Sequence, residues 1–132
     1  MIGWHRDLFE DIIMTTAVLD RAHDKTTQRL SAKGLALLYG VPQATIAHAI
    51  AVNVDAIRKH PASRPIQESL SVLFDCFARL YETMNSDEEA VRRWLHRPNR
   101  ELDGAQPVTL LEKGRLSDFK AIVRLMSTGA YA

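Results

Sequence analysis

Apolar residues recur at intervals of three and four along most of this chain, the period of an α-helix with one buried face. Leu8, Ile12, Ile13, Thr16 and Leu19 keep that spacing and predict an amphipathic helix over about residues 5–22. Ser31 is placed to cap a short helix through Leu35 and Leu38, which Gly40 and Pro42 close. Pro65 stands where a first helical residue is tolerated, and Ile66, Leu70, Leu73, Phe74, Phe77, Leu80, Tyr81 and Met84 continue as one long stripe. Ser86-Asp87-Glu88-Glu89 reads as a capping box, so a new helix is expected to start at Ser86 and to carry Trp94. Pro98, Asn99, Gly104 and Pro107 mark a turn-rich connector. Val108, Leu110 and Leu111 then predict a short helix stopped at Gly114. Ser117 is the expected cap of a final helix, with Phe119, Ile122, Val123, Leu125 and Met126 on its apolar side and Gly129 in the C-cap position. No stretch alternates as a strand does, so the fold class is all-α.

Composition adds little to this picture. An apolar content of 46% with 25% charged residues is ordinary for a soluble globule, and 132 residues suit one compact protein. The longest apolar run, Leu35 to Tyr39, falls far below the ~20 residues of a membrane span. Asp7, Glu10 and Asp11 interrupt the first apolar residues, against the pattern of a secretory signal, and a cytoplasmic protein is expected. Cys76 is the single cysteine, which excludes an internal disulfide and a thiolate zinc cluster. Its neighbours Leu73, Phe74, Phe77 and Leu80 assign it to packing.

Charge separates the two halves. Between residues 25 and 66, Lys25, Arg29, Lys33, Arg58, Lys59 and Arg64 face Asp55 alone, six minus one, an excess of +5. From 67 to 132 ten acids stand against nine bases. A basic face that meets nucleic acid therefore belongs to the first half. Residues 43–60 fit a helix-turn-helix template, with Ile46, Ala47, Ile50, Val52 and Ile57 where the two helices touch. Ala51 replaces the usual turn glycine and His60 fills an apolar slot, two departures from the pattern. In this reading Asn53, Asp55, Ala56, Arg58 and Lys59 face outward, Arg58 matches the acceptors of a guanine edge, and Arg64 reaches phosphate. The plainer alternative is a tight helical hairpin with a solvated charged face, on which Asp55 would repel phosphate.

The last third holds the most specific pattern: Trp94-Leu95, Pro98-Asn99-Arg100-Glu101-Leu102, then Asp103 through Leu111, Gly114, and Gly129-Ala130-Tyr131-Ala132. Over roughly residues 86–132 this order and spacing resemble the toxin-binding domain of the Xre/MbcA/ParS-like bacterial antitoxins, with weaker matching upstream. The resemblance implies a helical region over 1–64 with an Xre-type helix-turn-helix at 43–60. A connecting or dimerisation helix over 65–85 and a small helical toxin-binding domain over 86–132 would follow. It further implies a type II antitoxin whose partner is a RES-domain toxin that consumes NAD, or a toxin of the related ParT type, with the final helix and tail reaching the toxin's active-site cleft. Lys120, Arg124 and Thr128 then lead at helical spacing to Gly129, Ala130, Tyr131 and Ala132, with Tyr131 as the aromatic anchor. Operator DNA, bound by a homodimer, is the second implied partner. On the residues alone the tail has a simpler reading as a frayed terminus, and Trp94 and Leu95 as core.

No phosphate loop, HExxH pair, GxSxG elbow or Cys/His metal spacing occurs, and His5, His23, His48, His60 and His96 are scattered. No cofactor, metal or enzymatic activity is expected. Two functions stay open: an antitoxin that also represses its operon, and a free-standing transcriptional regulator whose C-terminal unit dimerises or senses a ligand.

Overall fold

The computed structural model describes residues 17–129. Most of the helix expected over residues 5–22 lies outside them; its described end, residues 17–19, runs into a 3-10 turn at Asp20–Ala22. Seven α-helices follow: α1 (Ala32–Tyr39), α2 (Gln43–Ala49), α3 (Val54–Lys59), α4 (Arg64–Thr83), α5 (Glu88–Leu95), α6 (Pro107–Glu112) and α7 (Leu116–Ser127). A second 3-10 turn spans Arg100–Leu102. No strand occurs among the described residues, only an isolated antiparallel bridge between His23 and Leu30. The protein is all-α.

Helix ends follow from local chemistry, in three places not as the sequence suggested. Ser31 caps α1 as expected, its hydroxyl accepting from the Gly34 amide at 3.0 Å, and Gly40 ends the helix at φ +70°. Pro65, however, is the second residue of α4, because Arg64 already has helical geometry. Ser86 is not the cap of α5. The end of α4 takes its amide, which donates to Tyr81 O while the Asn85 amide donates to Glu82 O, a Schellman closure that places Asn85 and Ser86 at φ +58° and +62°. The cap passes to Asp87, whose carboxylate accepts from the Ala90 amide at 3.1 Å. Ser117 likewise lies inside α7, since Gly114 closes α6 at φ +70° and Arg115 already occupies the N-cap position.

One buried cluster runs from Ala22 to Val123. On α4 the buried positions are Ile66, Leu70, Leu73, Cys76, Phe77, Leu80 and Tyr81, and the helix contacts α1, α5 and α7. An aromatic chain ties these helices together: Tyr39 on α1 meets Phe77 edge-on at 5.2 Å and Phe119 of α7 at 6.1 Å, and Trp94 of α5 meets Phe119 at 6.5 Å. Tyr39 Oη donates to Leu73 O at 2.7 Å, which satisfies its one buried polar atom. Trp94 and Leu95 are core residues, as the plainer reading held. A second seam joins α2 to α6, where a Cβ on Gly114 would stand 3.0 Å from His48 O.

The turn between α2 and α3 holds Ala51 at φ +58°, the left-handed conformation that explains why the template puts glycine there. Ala51→Gly is therefore expected to stabilise the chain by about 0.5–1 kcal/mol, the relieved Cβ strain exceeding the added freedom of the unfolded chain. Urea unfolding would show it as a raised midpoint at unchanged slope; a lowered midpoint would contradict the turn geometry.

Candidate functional site

Two surfaces carry the residues that the sequence singles out. The first is the outer side of α7. Phe119, Ile122 and Val123 point inward and fix the helix against α4, so Lys120 and Arg124, four residues apart, share the exposed side. Leu125, expected on the apolar side, is instead 38% exposed, because 119, 122, 123 and 126 complete the inward stripe without it. At the helix end the Thr128 amide donates to Arg124 O and its hydroxyl to Leu125 O, both at 3.1 Å, and Gly129 takes φ +79°. Thr128 thus closes the helix as well as standing on its exposed end. Ala130, Tyr131 and Ala132 lie outside the described residues.

Lys120 and Arg124 do not stand alone. They line a recess of about 60 Å³ between α4 and α7, together with Val72, Asp75, Cys76 and Arg79 of α4. Cys76 forms its buried floor, and burial pushes the thiol up to about 11, with Lys120 acting in the opposite direction. That raises the barrier to thiolate chemistry and leaves a packing role, as expected. Arg79 is the residue that sequence reasoning missed. Its spacing from Val72 and Asp75 places the three on one side of α4, but nothing in the sequence says that α7 lies beside them.

The second surface is α2–α3 with the start of α4. Asn53, Asp55, Arg58 and Lys59 are exposed, Ala56 is half-buried, and Arg64 is exposed at the first turn of α4. Much of this set is already engaged within the chain. Asn53 caps α3, its side-chain oxygen accepting from the Ala56 amide at 2.7 Å. Arg58 pairs with Asp55 at 3.0 Å and Arg64 with Glu68 at 2.9 Å, so Lys59 is the cation of this set without an ion pair among the described residues. Asp55 lowers the field that Arg58 presents outward. α3 has no buried residue, and Val54 is 43% exposed. Beside it lies a cavity of about 300 Å³ lined in part by Val54, Ile57, the three cations Arg29, Lys33 and Arg58, and the acid Asp24.

No group of three His, Cys, Asp or Glu side chains suited to a metal occurs among the described residues, and none of their helices is long and apolar enough to cross a membrane.

The family model of the antitoxin Xre/MbcA/ParS C-terminal toxin-binding domain matches residues 79–126, from the last turns of α4 through most of α7. A probable mycobacterial cidal antitoxin of Mycobacterium tuberculosis is 34% identical over 96 residues, which cover 70% of this chain and 82% of that protein. No solved structure matches.

Proposed function

Because this chain belongs to the Xre/MbcA/ParS antitoxin family, we propose that it neutralises a RES-domain, NAD-consuming toxin by seating α7 and the residues after it in the toxin's active-site cleft. A type II antitoxin with a toxin-binding C-terminal domain is the premise; the toxin class and the occlusion are the proposal. The observation that carries it is the division of α7 into two sides. Its inner side is locked into the core by Phe119, Ile122 and Val123, while Lys120, Arg124, Leu125 and Thr128 are presented outward on a helix whose position is already fixed. A preorganised helix loses little conformational entropy on binding, so its contacts convert more fully into affinity. Gly129, Ala130, Tyr131 and Ala132 extend that presentation, with Tyr131 as the anchor.

Residues 43–60 serve as the helix-turn-helix in this proposal, and Asn53, Asp55, Ala56, Arg58, Lys59 and Arg64 form the operator contacts of a homodimer. Arg58 would leave Asp55 to reach a base. The exchange is inexpensive, because an exposed ion pair of this kind contributes under about 1 kcal/mol. Dimerisation through α4 would use its polar outer side, since its apolar side is buried in the chain's own core.

The test is co-expression with the neighbouring toxin gene, reading growth, intracellular NAD and a promoter fusion. The full chain is expected to restore growth and NAD and to repress the promoter. A chain lacking 127–132 is expected to repress without rescuing, and Arg58→Ala with Lys59→Ala to rescue without repressing. Rescue with NAD unchanged would remove the RES assignment. A harmless neighbour, with the promoter still repressed, would leave the free-standing regulator.

A further inference from the structure

We propose that the recess between α4 and α7 receives a carboxylate side chain of the partner toxin, with Arg79, Lys120 and Arg124 as its three cationic walls. The inference rests on the toxin-neutralising reading and names a contact which that reading does not supply.

The recess carries charge that the chain leaves uncompensated. Arg21, Arg58, Arg64, Arg92, Arg93 and Arg115 each pair with a carboxylate of this chain, mostly one helical turn away. Arg79, Lys120 and Arg124 pair with none among the described residues, a state they share with Lys25, Arg29, Lys33, Lys59, Arg97, Arg100 and Lys113; what sets them apart is that all three line one small recess. Three cations against Asp75 leave the recess with an excess of two positive charges, three minus one. Like charges gathered on two helices repel one another, and that repulsion is relieved when a partner brings an anion.

The three cations come from two helices packed against one another, each held by a fully buried stripe that includes Leu73 and Phe77 on α4 and Phe119 and Val123 on α7. Their backbone positions are therefore set before a partner arrives. The recess, about 60 Å³, has room for several water molecules and therefore for a carboxylate. The floor is the neutral Cys76 thiol and the half-buried Val72, a low-dielectric base on which a charged hydrogen bond is stronger than in open water. Arg79 is a suitable wall for such a guest, because its planar fork can hold both carboxylate oxygens. All three cations fall within the span that matches the family's toxin-binding domain.

The test is calorimetric titration of the purified full chain with its toxin at low and high salt, each variant first checked by thermal unfolding. Arg79→Glu is expected to melt like wild type and to weaken binding about a hundredfold, through repulsion of the incoming carboxylate. Arg79→Lys, which keeps the charge and loses the fork, is expected to weaken it about tenfold. Lys25→Glu, the same charge change outside the recess, should stay within about twofold, with an unaltered salt dependence. Reversing single acidic residues of the toxin to Arg should identify one that restores binding to Arg79→Glu. Binding of a folded Arg79→Glu within about twofold of wild type, or failure of every toxin reversal to restore it, overturns the recess and leaves neutralisation standing. A wild-type chain that does not bind the toxin overturns the neutralising reading itself.

Discussion

Phe119→Ala is expected to lower the unfolding free energy by about 4 kcal/mol, the largest effect of any single substitution considered for this chain. The ring is fully buried and touches Tyr39 of α1 and Trp94 of α5 from its place on α7. Truncation removes both the transfer free energy of an aromatic side chain and the packing of two neighbours that cannot collapse into the gap, since Tyr39 is tied by its hydroxyl to Leu73 O. With a urea slope of about 1–3 kcal/mol per molar, the midpoint should fall by roughly 2 M. Lys120→Ala, one residue along the same helix but exposed, should move it by the equivalent of about 0.5 kcal/mol or less. The contrast separates the two sides of α7. If α7 seats in the toxin as proposed, the inner substitution is expected to weaken binding by unfolding the helix's support, and the outer one by removing a contact from a folded chain. A loss below about 1.5 kcal/mol for Phe119→Ala would mean that α7 is not held in the core as described.

Gly34→Ala carries the second large effect, and here two principles predict opposite signs. Gly34 lies inside α1, where replacing glycine by alanine normally stabilises by up to about 1 kcal/mol. In this fold a Cβ at residue 34 would stand 2.3 Å from the carbonyl oxygen of Arg21 and 3.0 Å from Ala22 Cα. Both obstacles are backbone, so no side chain can swing aside, and the 3-10 turn Asp20–Ala22 must move off α1. Forced repacking of this kind costs about 1–3 kcal/mol or more, and the displaced turn uncovers Ala22, which is fully buried. The steric term wins, with a net loss of about 2 kcal/mol expected by urea or thermal unfolding. Lys33→Ala, its exposed neighbour in the same helix, should be nearly neutral. A stabilised Gly34→Ala would show that the turn does not approach α1.

Much of the fold is legible in the sequence because helices are local. Apolar residues three and four apart declare a buried side without reference to the rest of the chain, and α1, α4 and α7 fall near the expected positions for that reason. Capping is less legible where two helices nearly meet. The Ser86 reading fails because the Schellman closure of α4 takes the amide and the conformation that a cap requires, and the Ser117 reading fails because α7 begins directly behind Gly114. Both are competitions between neighbouring helix ends, and a motif read in one direction does not register them. The candidate sites divide in the same way. Lys120 and Arg124 share one exposed side simply because four residues make about one helical turn.

By itself, then, the sequence determined the helical class, most of the inward side of the long helices with Leu125 as the exception, the packing role of Cys76 and the resemblance that leads to the antitoxin family, all carried by spacings of a few residues. Only the tertiary structure decided that Gly34 has no room for a side chain and that Arg79 joins Lys120 and Arg124 around one recess. The Arg79 recess and the Gly34 approach are meetings of residues far apart in the chain, set by which helix comes to rest against which. Local periodicity is silent about that choice because it is made by the packing of the whole core.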